Sequence, residues 1–339
     1  MALYPLLLEP IYKEKVWGGR TLETLGRTLP GEKGTRVGES WEVADLDSTS
    51  PSGGGGDAAH SRIRNGPWIK RTLDEVLADF GRPIMGSRPL AEDGRFPLLL
   101  KYLDARENLS VQVHPSSAYV ADHPEARAKS EAWYIVAAEP GAVIYTGLKA
   151  EVVQGDIEAA IRSGTVEELL AAVPAVPGDC HYLPSGRCHA LGAGVLVAEV
   201  GTPSDTTFRV YDWGRGDREL HVDQALACMD FTTPDASRWE PGTEEVRGAT
   251  TIRNKVACEH FLIDEWSVPA GSESTLETGE VSVLMVIAGE GALGWGDETR
   301  HSLAVGPGST VLVPAALTAG SISATNSVTL LRVTIPEPS

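Results

Sequence analysis

The sequence predicts a mainly β protein made of two jelly-roll modules, the first interrupted by a helical insertion. Three observations lead there. Short β-rich runs alternate with turn signals along the chain, and glycine (36) and proline (22) are frequent among its 339 residues. Helical periodicity is confined to a few short stretches. One pattern of residues also occurs twice, once in each half.

Strands are expected over 98–103, 109–113, 133–136, 195–200, 281–287 and 310–313, where apolar and β-branched residues run between turn formers. Helices are expected over 72–80, 157–161, 166–172 and 222–229. The tract 48–61 contains Gly53-Gly54-Gly55-Gly56 without a following Lys-Ser or Lys-Thr, so it reads as a flexible surface loop and not a phosphate cradle. The polar, aperiodic stretch 234–250 reads as a linker.

In the repeat, Val136-Ala137-Ala138-Glu139-Pro140-Gly141-Ala142 resembles Ile287-Ala288-Gly289-Glu290-Gly291-Ala292. Ala175-Val176-Pro177-Gly178-Asp179 through Leu183-Pro184 resembles Val305-Gly306-Pro307-Gly308-Ser309 through Val313-Pro314, with equal spacing between the prolines. The expected division is a module at 1–233 with an N-terminal β extension and a helical insert at 150–173, the linker 234–250, and a second module at 251–339. Copy one has Glu131 where copy two has Ser282, and His189 where copy two has Ala319. Any metal site therefore belongs to the first module.

Composition limits the partners. The chain is 42% hydrophobic and 22% charged, which suits a globular protein with room for two domains. Its formal net charge of −18 repels nucleic acid and anionic lipid, so neither is expected as a partner. An anionic small molecule can bind only where cations are gathered locally. The four cysteines, Cys180, Cys188, Cys228 and Cys258, form no CxxC pair and read as reduced thiols. The first ten residues lack the basic start of a signal peptide, and no apolar run approaches the roughly 20 residues of a membrane span. A soluble, cytoplasmic protein is expected.

Four segments carry side chains suited to chemistry. In Leu109-Ser110-Val111-Gln112-Val113-His114-Pro115, alternation puts the apolar residues on one face and Ser110, Gln112 and His114 on the other. Burying that polar face is costly unless something coordinates or hydrogen-bonds it. A metal at Gln112 and His114 is one answer, and a solvated strand face is the other. Lys129, Glu131 and Trp133 share a face if 129–133 is extended; taken alone, Lys129 and Glu131 read as a surface ion pair. A turn at Pro184-Ser185-Gly186 delivers His189 to the start of an apolar strand, where a lone histidine is usually structural. After Glu199, alternation puts Asp205, Thr207, Arg209 and Tyr211 on one face. Together two histidines, a glutamate and a glutamine suit a divalent metal such as zinc. Lys101, Lys129 and Arg209 supply the positive charge a phosphorylated substrate needs.

These motifs, with Lys15-Val16-Trp17-Gly18-Gly19 and Gly38-Glu39-Ser40-Trp41, resemble the type I mannose-6-phosphate isomerases in their shorter bacterial form. The resemblance spans nearly the whole chain. It implies paired cupin barrels, and it matches His114, Glu131 and His189 to the metal ligands, with Gln112 completing the set around one Zn²⁺. It matches Arg209 to the active-site arginine, Ser110 and Lys129 to phosphate contacts, and Lys101, Glu199 and Asp205 to other pocket positions. It implies isomerisation of mannose 6-phosphate and fructose 6-phosphate through a cis-enediol, with Glu199 as the carboxylate best suited to act as base. The chain departs from the family at Val200-Gly201-Thr202-Pro203, where two amide side chains are missing from the expected pocket edge. A monomer is expected, with a weak dimer as the alternative. The competing readings are a cupin oxygenase and a non-catalytic sugar-phosphate-binding protein.

Overall fold

Strand Glu131–Ala138 is buried on both faces over its first five residues, as a strand enclosed between two layers must be. Trp133 and Ile135 point into a barrel cluster with Trp17, Leu103, Val195 and Val197. Ala132 and Tyr134 point the other way and join Leu100, Tyr102, Ala198 and Val200. The computed structural model describes residues 3–46, 59–216, 218–231, 242–296 and 300–337.

The strand belongs to a six-stranded sheet in the order Cys180–Leu183, Glu131–Ala138, Val195–Gly201, Leu99–Ala105, Ile11–Gly19, Val37–Val43. A second, seven-stranded sheet runs Leu6–Leu7, Thr310–Val313, Ser282–Ala288, Val328–Thr334, Leu262–Val268, Thr250–Ala257, Glu244–Arg247. Val256, Ile263, Val283, Leu331 and Val333 of that sheet share the cluster of Tyr102, Ala132 and Tyr134, so the two sheets stack across one apolar core. Smaller sheets close each jelly roll on its far side. In the first module these are Leu170–Pro174, Val143–Leu148 and Ala190–Leu191, with the pair Val111–Val113 and Phe208–Tyr211. In the second it is the four-stranded sheet Glu273–Leu276, Gly320–Ala324, Gly291–Trp295, His301–Val305.

The repeat holds at the level of register. Glu131 lies opposite Leu183 and Gly201, and Ser282 opposite Val313 and Thr334. The chain is a mainly β protein of two cupin-like modules.

Several expectations change in detail. The strand expected at 109–113 covers only Val111–Val113. Leu109 joins the barrel cluster, whereas Val111 and Val113 pack with Ile157, Val166 and Ala225. The helix expected at 166–172 is a 3₁₀ turn, Val166–Leu169, followed by strand Leu170–Pro174 paired with Val143–Leu148. An unpaired edge recruited that segment, and the ladder outweighs a weak helical preference. The helical insert keeps Gln154–Ser163. The helix expected at 72–80 runs Leu73–Met85, with Phe80 out of helical conformation three residues before Pro83, whose ring and missing N–H disturb that turn. Tyr211 does not share the face of Arg209. The register shifts between them, so Arg209 pairs with Gln112 and Tyr211 with Val111, residues of opposite faces. Glu244–Arg247, within the expected linker, is a strand paired with Thr250–Ala257. The tetraglycine 53–56 and residues 234–241 lie outside the described residues.

Candidate active site

Alternation along three neighbouring strands builds the site. Lys101 and Glu199 lie opposite one another, Glu199 lies opposite Trp133, and Glu131 begins the same strand two residues before Trp133. Lys101, Glu131, Trp133 and Glu199 therefore face the barrel interior at one end. Leu183, Leu191, Val195 and Val197 fill the interior behind them. The opposite wall brings His189 and Gln112 together through an isolated bridge between their backbones.

His114, Glu131 and His189 are 2%, 0% and 1% exposed. His114 Nε2 lies 3.4 Å from Glu131 Oε2, and His189 Nε2 lies 3.3 Å from Glu131 Oε1. One ligand atom from each lies within 4.8 Å of the others. His114 Nδ1 donates to the Thr206 carbonyl and His189 Nδ1 to the Arg187 carbonyl, both at 2.8 Å. A carbonyl can only accept, so each Nδ1 carries the proton and each Nε2 turns a lone pair to the centre. His114 Nε2 and Glu131 Oε1 are buried without a hydrogen-bond partner, while Glu131 Oε2 has the Lys129 ammonium as its ion partner. Buried orphan acceptors of this kind are costly unless a cation faces them, and the donor set suits a divalent metal. The residues present therefore fit a metal ion.

Charge agrees with that reading. Burial on its own would raise the Glu131 carboxyl, yet the Lys129 ammonium beside it holds it well below the usual carboxylate range. Burial pushes His189 down to about 3, so its imidazole is neutral and able to ligate. Gln112 Nε2 lies 3.2 Å from His189 Nε2. Turning that amide over would point Oε1 at the centre instead. Asp45, His60 and Asp74 form a second group of metal-type residues, but Arg95 sits 3.3 Å from Asp45 and 3.6 Å from Asp74 and already supplies the cation.

A pocket adjoins these three residues through Gln112 and Lys129, and Lys101, Ser110, Glu199, Asp205 and Arg209 line it too. Lys129 is 3% exposed and reaches Glu199 at 3.0 Å, with a closer ion pair to Glu131. Burial alone would lower its pKa, but the two carboxylates hold it above the ordinary lysine value. Glu199 also accepts from Trp133 Nε1 at 3.4 Å. Arg209 donates to the Glu219 carbonyl at 2.6 Å.

Residues 6–142 match the family model described as phosphomannose isomerase type I, catalytic domain. The mannose-6-phosphate isomerase ManA of Bacillus subtilis (strain 168) is 34% identical over 300 residues, covering 86% of this chain and 88% of its own. The mannose-6-phosphate isomerase of Streptococcus mutans serotype c is 33% identical over 296 residues, 85% of this chain and 86% of its own. The crystal structure of the mannose 6-phosphate isomerase from Bacillus subtilis matches with a TM-score of 0.84 at 32% identity, covering 98% of this chain and 100% of that one. The chain belongs to the type I phosphomannose isomerases.

Within that family frame, the structure gathers all ten residues singled out from the sequence at one end of the first barrel. It also adds residues that alternation missed. Lys13, Lys15, Trp17, Glu39, Trp41 and Arg218 line the same pocket, together with Thr207 from the face of Asp205 and Arg209. Most of them come from the N-terminal hairpin Ile11–Gly19 and Val37–Val43. Their signal lay in the two family motifs that hold Lys15, Trp17, Glu39 and Trp41. The glycines of those motifs have a steric reason. A side chain at Gly18 would meet the Gly38 backbone at 2.4 Å, and one at Gly38 would meet Lys15 and the Trp17 ring at 2.6 and 2.7 Å. The departure at Val200-Gly201-Thr202-Pro203 proves structural. Val200 is buried between the modules. Thr202 bonds to Ala128 and Ser130 and so fastens the segment that carries Lys129 and Glu131. Cys188, beside His189, is a buried thiol that burial pushes up to about 12, so it is unreactive.

Proposed function

We infer that this chain is a metal-dependent aldose–ketose isomerase that interconverts mannose 6-phosphate and fructose 6-phosphate. One observation carries the reading furthest: three buried donors, their lone pairs converging, stand beside a pocket lined by lysines and arginines. An oxygenase has no use for that cationic wall, and a binding protein has no use for the orphan donors.

His114, Glu131 and His189, with Gln112, would hold one Zn²⁺. Bound there, the ion acts as a Lewis acid toward the sugar's carbonyl oxygen. The other roles belong to the chain. Glu199 is proposed as the base that takes the proton from one of C1 and C2 and returns it to the other. Lys129 and Trp133 fix its two oxygens. Arg209 would stabilise the negative oxygens of the cis-enediol stage, since guanidinium stays charged at any working pH. Asp205 is proposed to move the proton between the two oxygens. Ser110 and Lys101 are proposed as further substrate contacts.

Each copy of the chain supplies a full set of these residues, which supports action as a monomer. All four cysteines are free, which supports a reducing compartment and a cytoplasmic enzyme. Among the described residues no helix is long and apolar enough to cross a membrane.

A coupled assay with mannose 6-phosphate tests the reading. Turnover should vanish on chelation and return with zinc, and a zinc-loaded protein with no turnover would refute it. Arg209→Ala should lower kcat by about 10²–10³-fold while metal content stays at the wild-type level. A parallel loss of metal would remove the assigned role.

A further inference from the structure

Strand Phe208–Tyr211 brings Arg209 into the pocket, and the chain then turns back and holds that arginine at three points. Its guanidinium donates to the Glu219 carbonyl at 2.6 Å. Its backbone carbonyl accepts from His221 N at 2.8 Å, and its backbone N–H donates to His221 Nδ1 at 3.3 Å. Glu219 lies between that strand and helix Val222–Cys228, outside any ladder, so its carbonyl must be fixed by other means.

The loop closes on Asp212, which is 2% exposed. Asp212 Oδ2 accepts from Arg218 Nε at 2.9 Å, and Oδ1 accepts from Arg218 Nη2 and, at 2.8 Å, from Arg215 Nη2. Two parallel bonds to one guanidinium fix its orientation as well as its distance. Arg218 immediately precedes Glu219, whose carbonyl holds Arg209. Arg215 Nη2 also donates to the Asn108 carbonyl at 2.8 Å, and Trp213 Nε1 to the Leu109 carbonyl at 2.5 Å. These bonds tie the loop to the segment that leads into Ser110 and Gln112. Trp213 itself sits at φ +55°, a left-handed conformation that a bulky residue keeps only where its surroundings hold it.

We propose that Asp212 is a positioning residue for the isomerisation: through Arg218 it places the Glu219 carbonyl, and through that carbonyl it sets the Arg209 guanidinium for the negative oxygens of the enediol stage. This rests on the isomerase reading for the role of Arg209. Arg209 and Arg218 line the pocket and Asp212 does not, so its effect passes through them. An arginine on its long stem has many rotamers, and a charge displaced by about 1 Å from the reacting atoms can cost a large part of the rate.

The experiment uses the full-length, metal-loaded protein in a double-mutant cycle of Asp212→Asn with Arg209→Ala. Asp212→Asn keeps the shape of the side chain and removes its charge. Its kcat with mannose 6-phosphate should fall about tenfold, with KM changed less than about threefold and metal content unchanged. On an Arg209→Ala background the same substitution should cost less than about twofold, because nothing is left to position. A merely structural role would multiply the two losses. That result, or an unchanged kcat in Asp212→Asn, would overturn the proposal. If Asp212→Asn does not fold, Arg218→Gln goes through the same cycle; it leaves Asp212 its pair with Arg215, and the same non-additivity is expected, with additive losses again overturning the proposal. A zinc-loaded wild type without turnover would overturn the isomerase reading, and amide hydrogen exchange then decides the positioning separately. The Arg209 and His221 amides should exchange at least about tenfold faster in Asp212→Asn, with strand Ser282–Ala288 of the second module unaffected. Unchanged exchange at Arg209 and His221 would overturn the assigned link.

Discussion

The two modules place charged residues at matching points of their sheets, with the signs exchanged. In the first, Lys101 lies opposite Glu199 in register, and Lys129 pairs with Glu199 at 3.0 Å. In the second, Asp264 lies opposite Arg332, and Glu280 pairs with Arg332 at 2.6 Å. Glu280 stands two residues before Ser282 as Lys129 stands two before Glu131. The frame is the same and the outcome differs. Both oxygens of Glu280 are taken by arginines, Oε1 by Arg332 and Oε2 by Arg88, the latter from the segment after helix Leu73–Met85. The second module therefore spends its polar row on holding that segment of the first module. The first leaves buried acceptors facing one another and can serve a metal. A jelly roll fixes where such residues stand, and their identity decides between a clamp and a site.

The comparison breaks most visibly where Glu131 stands in one module and Ser282 in the other. Glu131→Gln should abolish metal binding, measured by elemental analysis, and lower turnover by about 10³-fold or more. Ser282→Ala should leave both unchanged. Metal retained in Glu131→Gln would remove Glu131 from the ligand set.

A smaller effect is expected in the clamp. Arg332→Leu takes one of the two arginines from Glu280 while Arg88 stays, and stability measured by urea unfolding should fall by about 1–3 kcal/mol. The kcat of the folded variant should stay within about twofold of wild type. A parallel fall in kcat would mean that the second module tunes the chemistry of the first.

The smallest effect is a pH dependence at Glu39, on the N-terminal hairpin. Burial alone would raise the Glu39 carboxyl, but Lys15 and Lys101 bring it down from 4.5 to about 2. Its folded pKa is depressed, so its stabilisation is fully present above 4.5 and is lost as pH falls toward 2. The gap in Tm between wild type and Glu39→Gln should be widest above pH 4.5 and close toward pH 2. A gap that widens on acidification would contradict the assigned ion pairs.

Alternation and the internal repeat made much of the fold legible, because strand period and turn chemistry are local. The failures were at 166–172, where a neighbouring strand edge recruited residues with a helical pattern, and at Tyr211, where a bulge reversed the face. Both are decided by pairing partners far along the chain. The candidate site divides in the same way. Gln112, His114, Glu131 and His189 were visible because each interrupts an apolar alternation with a ligand-type side chain. Lys13 carries no such mark, since a lysine on an outer hairpin looks like any solvated lysine.

The sequence by itself determined the number of modules, the module that could hold a metal, and the residue types gathered for it. Only the tertiary structure decided that Glu131 faces both histidines, that Lys129 stands between two carboxylates, and that the N-terminal hairpin brings Lys13 and Lys15 to the same pocket. Charge balance is a property of distances between side chains, and those distances are set by sheet register across the whole barrel, which no local stretch of sequence contains.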